Sequence, residues 1–393
     1  MSNKLNLLLV STRFPNKYGD GFSKKNYWLL KALSLKYSVK LFIIQNKNVN
    51  DIQYQEVKNY CSSIKVYQPN ILDKLSGLFK SIKDDLPLQI SLFYSKQAYI
   101  EIQNSLEECQ IAVGSVIRSV QYIQNFNKLV IYDFADSIGL IYKKYADNLG
   151  FFERLLFSEE SRRLLKYERK NVNKAFKSFF FNRYEALNFP KDKVKVVNHG
   201  FENQLIDNVK SLGNKYSDCL VLFGNLNYKP ATHGALWFIK NVLPFINSEI
   251  RFLLLGANPP ASLIKLSRKS SKIIVKGFVN DPYSIMNSCL ASISPIFIGG
   301  GIQNKVIEGM AVGALNLVSP ISIEPFKNEN ETGLILCENV KDWIIQINEI
   351  YKNPSNYLIN RQKGKNYAKT NLDWNIYMSQ VQIEVERGCD CYE

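Results

Sequence analysis

In Leu5-Asn6-Leu7-Leu8-Leu9-Val10-Ser11-Thr12-Arg13-Phe14-Pro15-Asn16-Lys17-Tyr18-Gly19-Asp20-Gly21, an apolar run interrupted only by Asn6 leads into a loop that closes on two glycines. An apolar run of this length, without alternation, reads as a strand buried on both faces. An amphipathic helix follows over about residues 23–36, with Trp28, Leu29, Ala32 and Leu33 on its apolar side. A second run at 39–44 completes a βαβ unit with a long glycine-bearing first loop. Similar runs recur at 129–132, 178–181, 220–223, 252–255, 273–275 and 290–296, with helical patterns between several of them. That alternation predicts an α/β chain of parallel sheets with helices on both faces. In such sheets ligands bind at the carboxyl ends of the strands, where the first loop lies.

The chain has 393 residues, enough for two domains of roughly 100–200 residues each. Its hydrophobic fraction of 46% supports ordinary cores, and no repeat or low-complexity tract stands out. Residues 1–10 hold too short an apolar run for a signal-peptide core, and no stretch reaches the roughly 18–20 apolar residues of a membrane span. A cytoplasmic protein is expected. Five of the seven cysteines are scattered singly, and Cys389 and Cys391 stand in the last five residues without a second pair. Neither pattern has metal-site spacing. With Lys+Arg 50 against Asp+Glu 35, the net charge of +15 favours an anionic partner. No zinc finger, RNA-binding signature or Arg-rich arm points to nucleic acid, so a peripheral contact with an anionic membrane is the expectation. The helical stretch 151–177 carries many basic residues and reads either as a solvated face or as a lipid or acceptor contact. Leu156, Leu164, Leu165, Val172 and Phe176 are expected on its buried side, with Glu159 and Arg163 paired at i,i+4.

The segment richest in chemistry is Ile298-Gly299-Gly300-Gly301-Ile302-Gln303-Asn304-Lys305-Val306-Ile307-Glu308-Gly309-Met310. Glycines between a strand and a helix let a ligand approach the backbone, and a helix start offers N–H groups to a phosphate. Lys305 adds a full charge, and Glu308, three residues on, shares its helix face and suits sugar hydroxyls. One loop can therefore hold the phosphates and ribose of a nucleotide.

Other candidates are weaker alone. Gly224-Asn225-Leu226-Asn227-Tyr228-Lys229-Pro230 turns from a strand into a helix expected from about residue 232. Lys276-Gly277-Phe278 leaves another strand. Asp133-Phe134-Ala135-Asp136 can hold a divalent metal, cap the next helix or bond to the chain, and without further ligands no metal is expected. His199 and His233 are the only histidines, which disfavours a His-based triad or metal site.

Taken together, Arg13 to Gly21, Val197-Asn198-His199-Gly200-Phe201-Glu202-Asn203, Gly224 to Pro230, Gly277-Phe278-Val279 and Gly299 to Ala311 resemble the signature segments of GT-B-fold glycosyltransferases. They are similar to those of family 4 retaining enzymes of bacterial surface-polysaccharide synthesis. The run from Gly299 is similar to the branch signature G-G-G-I-Q-N-K-V-L-E-A-M-A. The first loop in this family usually reaches a basic residue, here Lys24 or Lys25. The likeness covers nearly the whole chain. It departs at Gly300, where the family's Glu-x7-Glu places a sugar-contacting Glu, and at Asn225, where many members carry a diphosphate-binding Arg.

The resemblance implies two Rossmann-like domains facing across a cleft: residues 1–203 on the acceptor side, 204–374 binding the nucleotide sugar, and a helical tail, 375–393, packing back on the first. It implies a retaining transferase that moves a sugar from a UDP- or GDP-linked donor to a glycan or lipid-linked acceptor in capsule, O-antigen or lipopolysaccharide synthesis. The donor residues would be Gly224, Asn225, Lys229, Phe278, Gly299, Gly300, Gly301, Ile302, Gln303, Asn304, Lys305 and Glu308, with Lys305 and Glu308 closest to the chemistry. Gly19, Asp20, Gly21, Arg118, Asp136 and His199 would serve the acceptor. No cofactor or metal is implied beyond the nucleotide-sugar co-substrate, and the inner face of the plasma membrane is the implied location. A catalytically inactive GT-B nucleotide-binding scaffold, or a GT-B sugar-nucleotide epimerase, are the alternatives. The scarcity of histidine disfavours the epimerase.

Overall fold

A computed structural model describes residues 4–46, 49, 51–147, 149–202, 206, 208–326 and 329–392. The chain divides into two compact units, Met1–His199 with Trp374–Glu393, and Gly200–Asp373. The boundary expected between residues 203 and 204 falls on positions outside the described residues.

Unit 1 is built on a seven-stranded sheet. Its strands are β1 (Asn6–Ser11), β2 (Ser38–Ile44), β3 (Ser63–Tyr67), β4 (Ile111–Ser115), β5 (Leu129–Ala135), β6 (Lys177–Phe180) and β7 (Val194–Val196), in the order β3-β2-β1-β4-β5-β6-β7. Unit 2 has six strands: β8 (Cys219–Phe223), β9 (Arg251–Leu255), β10 (Ile273–Gly277), β11 (Ala291–Ser294), β12 (Asn316–Val318) and β13 (Ile335–Leu336), in the order β10-β9-β8-β11-β12-β13. Every pairing is parallel. Both sheets reverse strand order once, between β1 and β4 and between β8 and β11. A parallel sheet opens a crevice outside the carboxyl ends of its strands at such a point.

The apolar runs form strands because both faces are covered. Leu7, Leu8, Leu9 and Val10 are all buried, as are Leu220, Val221 and Leu222. The helix Gly21–Ser34 buries Trp28, Leu29, Ala32 and Leu33, its expected apolar side. The final helix, Trp374–Tyr392, belongs to unit 1. It stacks Trp374 on Trp28 at 5.8 Å between ring centroids, and Gln382 donates to the Ala32 carbonyl at 2.8 Å. A Cβ on Gly388 would lie 2.6 Å from a Leu129 methyl, so a small residue permits that approach.

Five strands have no counterpart among the expected runs: β3, β4, β7, β12 and β13. β3 is a largely exposed edge strand in which polar and apolar residues alternate; β7 and β12 have three residues each and β13 two. The helix expected from about residue 232 starts at Lys229, because Pro230 fits its first turn, where no N–H is needed. The helix expected to 177 stops at Lys174, where Ala175 turns extended and Lys177 enters β6. Glu159 and Arg163 pair at 2.8 Å. Leu156, expected to be buried, is instead exposed: the helix's first two turns overhang the core, and Leu164 and Val172 make the contact further on.

Candidate functional site

In unit 2, strands β8, β9 and β10 end on glycines with positive φ: Gly224 at 128°, Gly256 at 145° and Gly277 at 70°. Gly224 N–H donates to the Leu255 carbonyl at 3.0 Å, and Gly256 N–H to that of Gly277 at 2.8 Å. A Cβ on Gly256 would lie 1.7 Å from the Gly224 carbonyl oxygen, so no other residue fits there. Across the crevice, the chain leaving β11 is fixed by Ser319, whose Oγ accepts from Ile296 N–H at 3.2 Å. Helix Lys229–Asn241 packs backbone to backbone against this exit, since a Cβ on Gly234 would meet the Pro295 carbonyl oxygen at 2.1 Å.

The glycine loop then bends through Gly299 at φ 115° and Gly301 at φ 69° into helix Asn304–Ala311. Gln303 gives that helix no side-chain cap; its Nε2 donates to the Gly300 carbonyl at 3.3 Å. Lys305 is only 8% exposed, and its Cε lies 3.8 Å from the position a Gly224 Cβ would take. The ammonium stem thus crosses from the β11 loop to the end of β8. Burial lowers its pKa to about 8, against the opposing pull of Glu308. Glu308 is buried. Burial first, then the charges of Glu308 and Glu202, push the Tyr283 phenol above its usual range, so the three groups lie close together. Phe201 and Phe223 meet the Tyr283 ring edge-on at 5.9 and 6.2 Å.

Of the residues expected at a donor, Lys305 therefore meets Gly224 at the β8/β11 crevice, and Gly299, Gly300, Gly301, Ile302, Gln303, Asn304 and Glu308 lie on the same loop and helix as Lys305. Asn225 and Lys229 are exposed on the turn after β8. Asn225 Oδ1 accepts from Asn227 N–H at 3.1 Å, which shapes that turn. Phe278 is 76% exposed after β10, two strands from β8.

Unit 1 has its own buried polar centre at the β1/β4 crevice. Lys25 Nζ lies 3.1 Å from Asp133 Oδ2 and donates to Ser115 Oγ at 2.9 Å and the Asp133 carbonyl at 3.0 Å. Tyr377 OH donates to Asp133 Oδ2 at 2.5 Å. Burial lowers the Lys25 pKa, with Asp133 pulling it back up. The loop after β1 is locked to the same centre: Asn26 Nδ2 donates to Ser11 Oγ at 2.7 Å and to the Arg13 carbonyl at 3.0 Å. Two non-glycine residues here have positive φ, Val116 at 68° and Ala135 at 64°, and the β5 register slips between Asp133 and Ala135. Strain of this kind, especially on a β-branched residue, gathers at functional sites.

Of the roles expected for Asp133 and Asp136, helix capping is excluded: Ser137 caps helix Ile138–Ala146, accepting from Leu140 N–H at 3.2 Å. Asp133 serves the Lys25 ion pair. Asp136 Oδ1 is buried without a hydrogen-bond partner, and burial together with Glu185 pushes its carboxyl well above the usual range. No cluster of three or more metal-ligating side chains occurs among the described residues.

Arg118 follows β4. Its guanidinium donates to Gln89 Oε1 from both Nε and Nη2 and lies 4.5 Å from the Phe93 ring centroid. Burial, then the neighbouring Arg13 charge, lowers its pKa. Asp20 is the N-cap of helix Gly21–Ser34, accepting from Ser23 N–H at 2.9 Å, and Gly19 fits tightly against Ser23. His199 is buried between Phe181 and Trp374, at 4.9 and 4.8 Å.

Sequence reading passed over Gly256, Tyr283, Asp133's partner Tyr377, and the pairing of Lys25. For Gly256 a signal existed, because Leu255-Gly256-Ala257-Asn258 repeats the strand-to-glycine exit of Phe223-Gly224-Asn225. Tyr377 lies 244 residues from Asp133 and gave no local sign.

Residues 217–353 match the profile of the family described as glycosyl transferases group 1. No curated protein matches the chain in sequence. Among solved structures, the chain is similar to Anabaena Alr3699/HepE in complex with UDP, with TM-score 0.68 and 10% identity over 98% of this chain and 100% of that one. Sucrose-phosphate synthase from Thermosynechococcus elongatus aligns with TM-score 0.69 and 13% identity, over 99% and 100% of the two chains. WaaG, a glycosyltransferase involved in lipopolysaccharide biosynthesis, aligns with TM-score 0.60 and 11% identity, over 96% and 99%. The chain has the GT-B fold of these glycosyltransferase structures, and its residues 217–353 are similar to the group 1 glycosyl transferases.

Proposed function

We propose that this protein is a glycosyltransferase that uses a nucleotide-diphosphate sugar. The observation that carries the reading is the β8/β11 crevice itself: glycines at positive φ at Gly224, Gly299 and Gly301, a helix start without a side-chain cap, and a buried Lys305 beside Gly224. In this reading the diphosphate sits on the glycine loop and the first turn of helix Asn304–Ala311, with Lys305 neutralising its charge and Glu308 accepting from the ribose hydroxyls. Phe278 stands near the base. Gly300 lacks the sugar-contacting carboxylate of relatives, so backbone N–H groups would hold the hexose.

The charge that develops on the leaving diphosphate falls to Lys305 and the helix N–H groups. A removed donor at such a position typically costs about 3 kcal/mol. No divalent ion is needed for that step, and activity is expected to survive chelation. Transfer would retain anomeric configuration. The acceptor oxygen bonds the anomeric carbon on the face from which the phosphate oxygen leaves, and the acceptor's proton passes to the departing diphosphate. The acceptor, a glycan or lipid-linked saccharide of surface-polysaccharide synthesis, is assigned to the β1/β4 crevice of unit 1. Arg118 and Asp136 would offer hydrogen bonds there.

The test is thermal stabilisation by UDP and GDP, followed by sugar release from nucleotide sugars. UDP comes first, because the similar HepE structures hold UDP and UDP-glucose. Failure of every nucleotide to stabilise the protein removes the donor assignment. Stabilisation with no sugar release, even with lipid-linked acceptors present, favours a binding scaffold.

A further inference from the structure

Helix Ile71–Lys83 of unit 1 is amphipathic in the wrong sense for a core element. Its buried residues are Gly77 and Ser81, both small, while its large apolar side chains face out. Ile71, Leu72, Leu75, Leu78, Phe79 and Ile82 are all exposed, Leu72 to 75% and Phe79 to 67%. At about 100° per residue these six span an arc of roughly 120° on one face. Lys74 stands at one border of that arc and Lys83 at the other. The lone acid, Asp73, is turned to the body, accepting from Asn70 and Lys96 N–H.

The helix docks through small contacts that leave the apolar face outward. A Cβ on Gly77 would strike the Ser91 carbonyl oxygen at 2.2 Å, so the helix lies tight on its neighbour there. Ser81 Oγ donates to the Leu86 carbonyl at 2.7 Å. The capping box of Asn70 and Asp73 fixes its start. Beside it runs helix Phe151–Lys174, joined by Arg163 Nη1 to the Ser81 carbonyl at 3.2 Å and by Arg162 to Asp85 at 2.8 Å. The first turns of that helix repeat the pattern. Phe157 packs inward on Tyr142 at 5.2 Å, whereas Phe151, Phe152, Leu155 and Leu156 are exposed, Phe152 to 80%.

We propose that this two-helix face of unit 1 is a docking surface for an anionic lipid bilayer, with helix Ile71–Lys83 lying in the headgroup plane. The apolar arc enters the acyl boundary by about 5–10 Å, and Lys74 and Lys83 snorkel to the phosphates at its margins. Charge complementarity selects this occupant. The arc is bordered by lysines in a chain of net charge +15, and a second copy of the chain would set lysine against lysine. No helix among the described residues is long and apolar enough to cross a membrane, so the contact is interfacial. The inference stands apart from the reaction assigned above.

Flotation with phosphatidylcholine vesicles, with and without phosphatidylglycerol, tests it on the full chain. Binding is expected only with phosphatidylglycerol and should weaken at high salt. Leu75→Glu with Phe79→Glu should weaken it at least about tenfold. Leu358→Glu with Ile359→Glu, on exposed residues of unit 2, should leave it unchanged. All four tryptophans lie off this face, so Phe79→Trp adds a reporter there, and its emission should shift to the blue on phosphatidylglycerol vesicles. Wild-type binding by the Leu75→Glu/Phe79→Glu protein, or no emission shift in the Phe79→Trp protein, overturns the proposal. So does a wild-type dimer that the Leu75→Glu/Phe79→Glu substitution converts to monomer, because the face would then be covered by a second copy.

Discussion

Replacing Lys305 by alanine probes the donor assignment most directly. A phosphate charge about 4 Å from the ammonium is worth roughly 4 kcal/mol at an effective dielectric near 20. Part of that is offset by desolvation of the phosphate, so a loss of about 2–3 kcal/mol is expected, a roughly 30- to 150-fold weaker Kd for UDP or GDP. The pH dependence is more specific. Burial holds the free Lys305 near pKa 8, and the cation is the binding form. Wild-type affinity should be level below pH 8 and fall above it by up to about tenfold per pH unit, with proton uptake on binding. The alanine variant should show no such fall. The apo protein should respond with the opposite sign. Lys305 is depressed from 10.5 to about 8, so between those values the unfolded chain binds more protons and stability rises with pH. Calorimetric titration in buffers of differing ionisation enthalpy measures affinity and proton uptake together. An alanine variant within twofold of wild type, or a wild-type affinity level from about pH 7 to 9.5, would refute the placement of Lys305 on the diphosphate.

Further outcomes follow from the geometry. Gly256→Ala forces a Cβ to within 1.7 Å of the Gly224 carbonyl oxygen at φ 145°, so urea unfolding should show a loss above about 4 kcal/mol, with nucleotide binding lost alongside. Lys25→Met strands the buried Asp133 carboxylate and should cost about 3–5 kcal/mol. Tyr377→Phe removes one bond to that carboxylate and should cost about 1.5–3 kcal/mol. Adding Asp133→Asn to Lys25→Met should recover part of the loss, and no recovery would show that the ion pair is not its source. Glu168 is buried, and burial raises its pKa from 4.5 to about 7, opposed by bonds from Ser137 and the Gly139 N–H. The folded state therefore binds more protons between those values, and stability falls as pH rises through them, by up to about 3 kcal/mol. Glu168→Gln should flatten this slope, read as Tm against pH.

The GT-B fold was implied by the resemblance of the signature segments, whereas the α/β class and most of the strands were legible in local pattern, because a strand covered on both faces must be apolar along its length and a helix covered on one face must be apolar at one spacing. β1, β2, β8 and β9 are of this kind. β3 escaped because an edge strand needs no apolar face, and β12 and β13 because two or three residues carry no period. The glycine loop and Lys305 were visible as residue types suited to phosphate. Their meeting with Gly224 was not, because the segments are some eighty residues apart and become neighbours only through the order β10-β9-β8-β11-β12-β13.

Charge and exposure divide in the same way. From its own tetrad Asp133 could hold a metal, cap a helix or bond to the chain, with no metal expected, and only packing supplied Lys25 and Tyr377 as its partners. Leu156 looked like a core residue by its spacing, and Leu72 and Phe79 are of the same apolar type. Periodicity reports that a helix has an apolar face; it does not report what the face meets. The amino-acid sequence by itself determined which segments become strands and helices, since those follow from nearest-neighbour backbone and side-chain preferences. Strand order, the crevice at each order reversal, the buried ion pair and the outward apolar face were decided only by the tertiary structure, because each depends on which distant segments exclude water together.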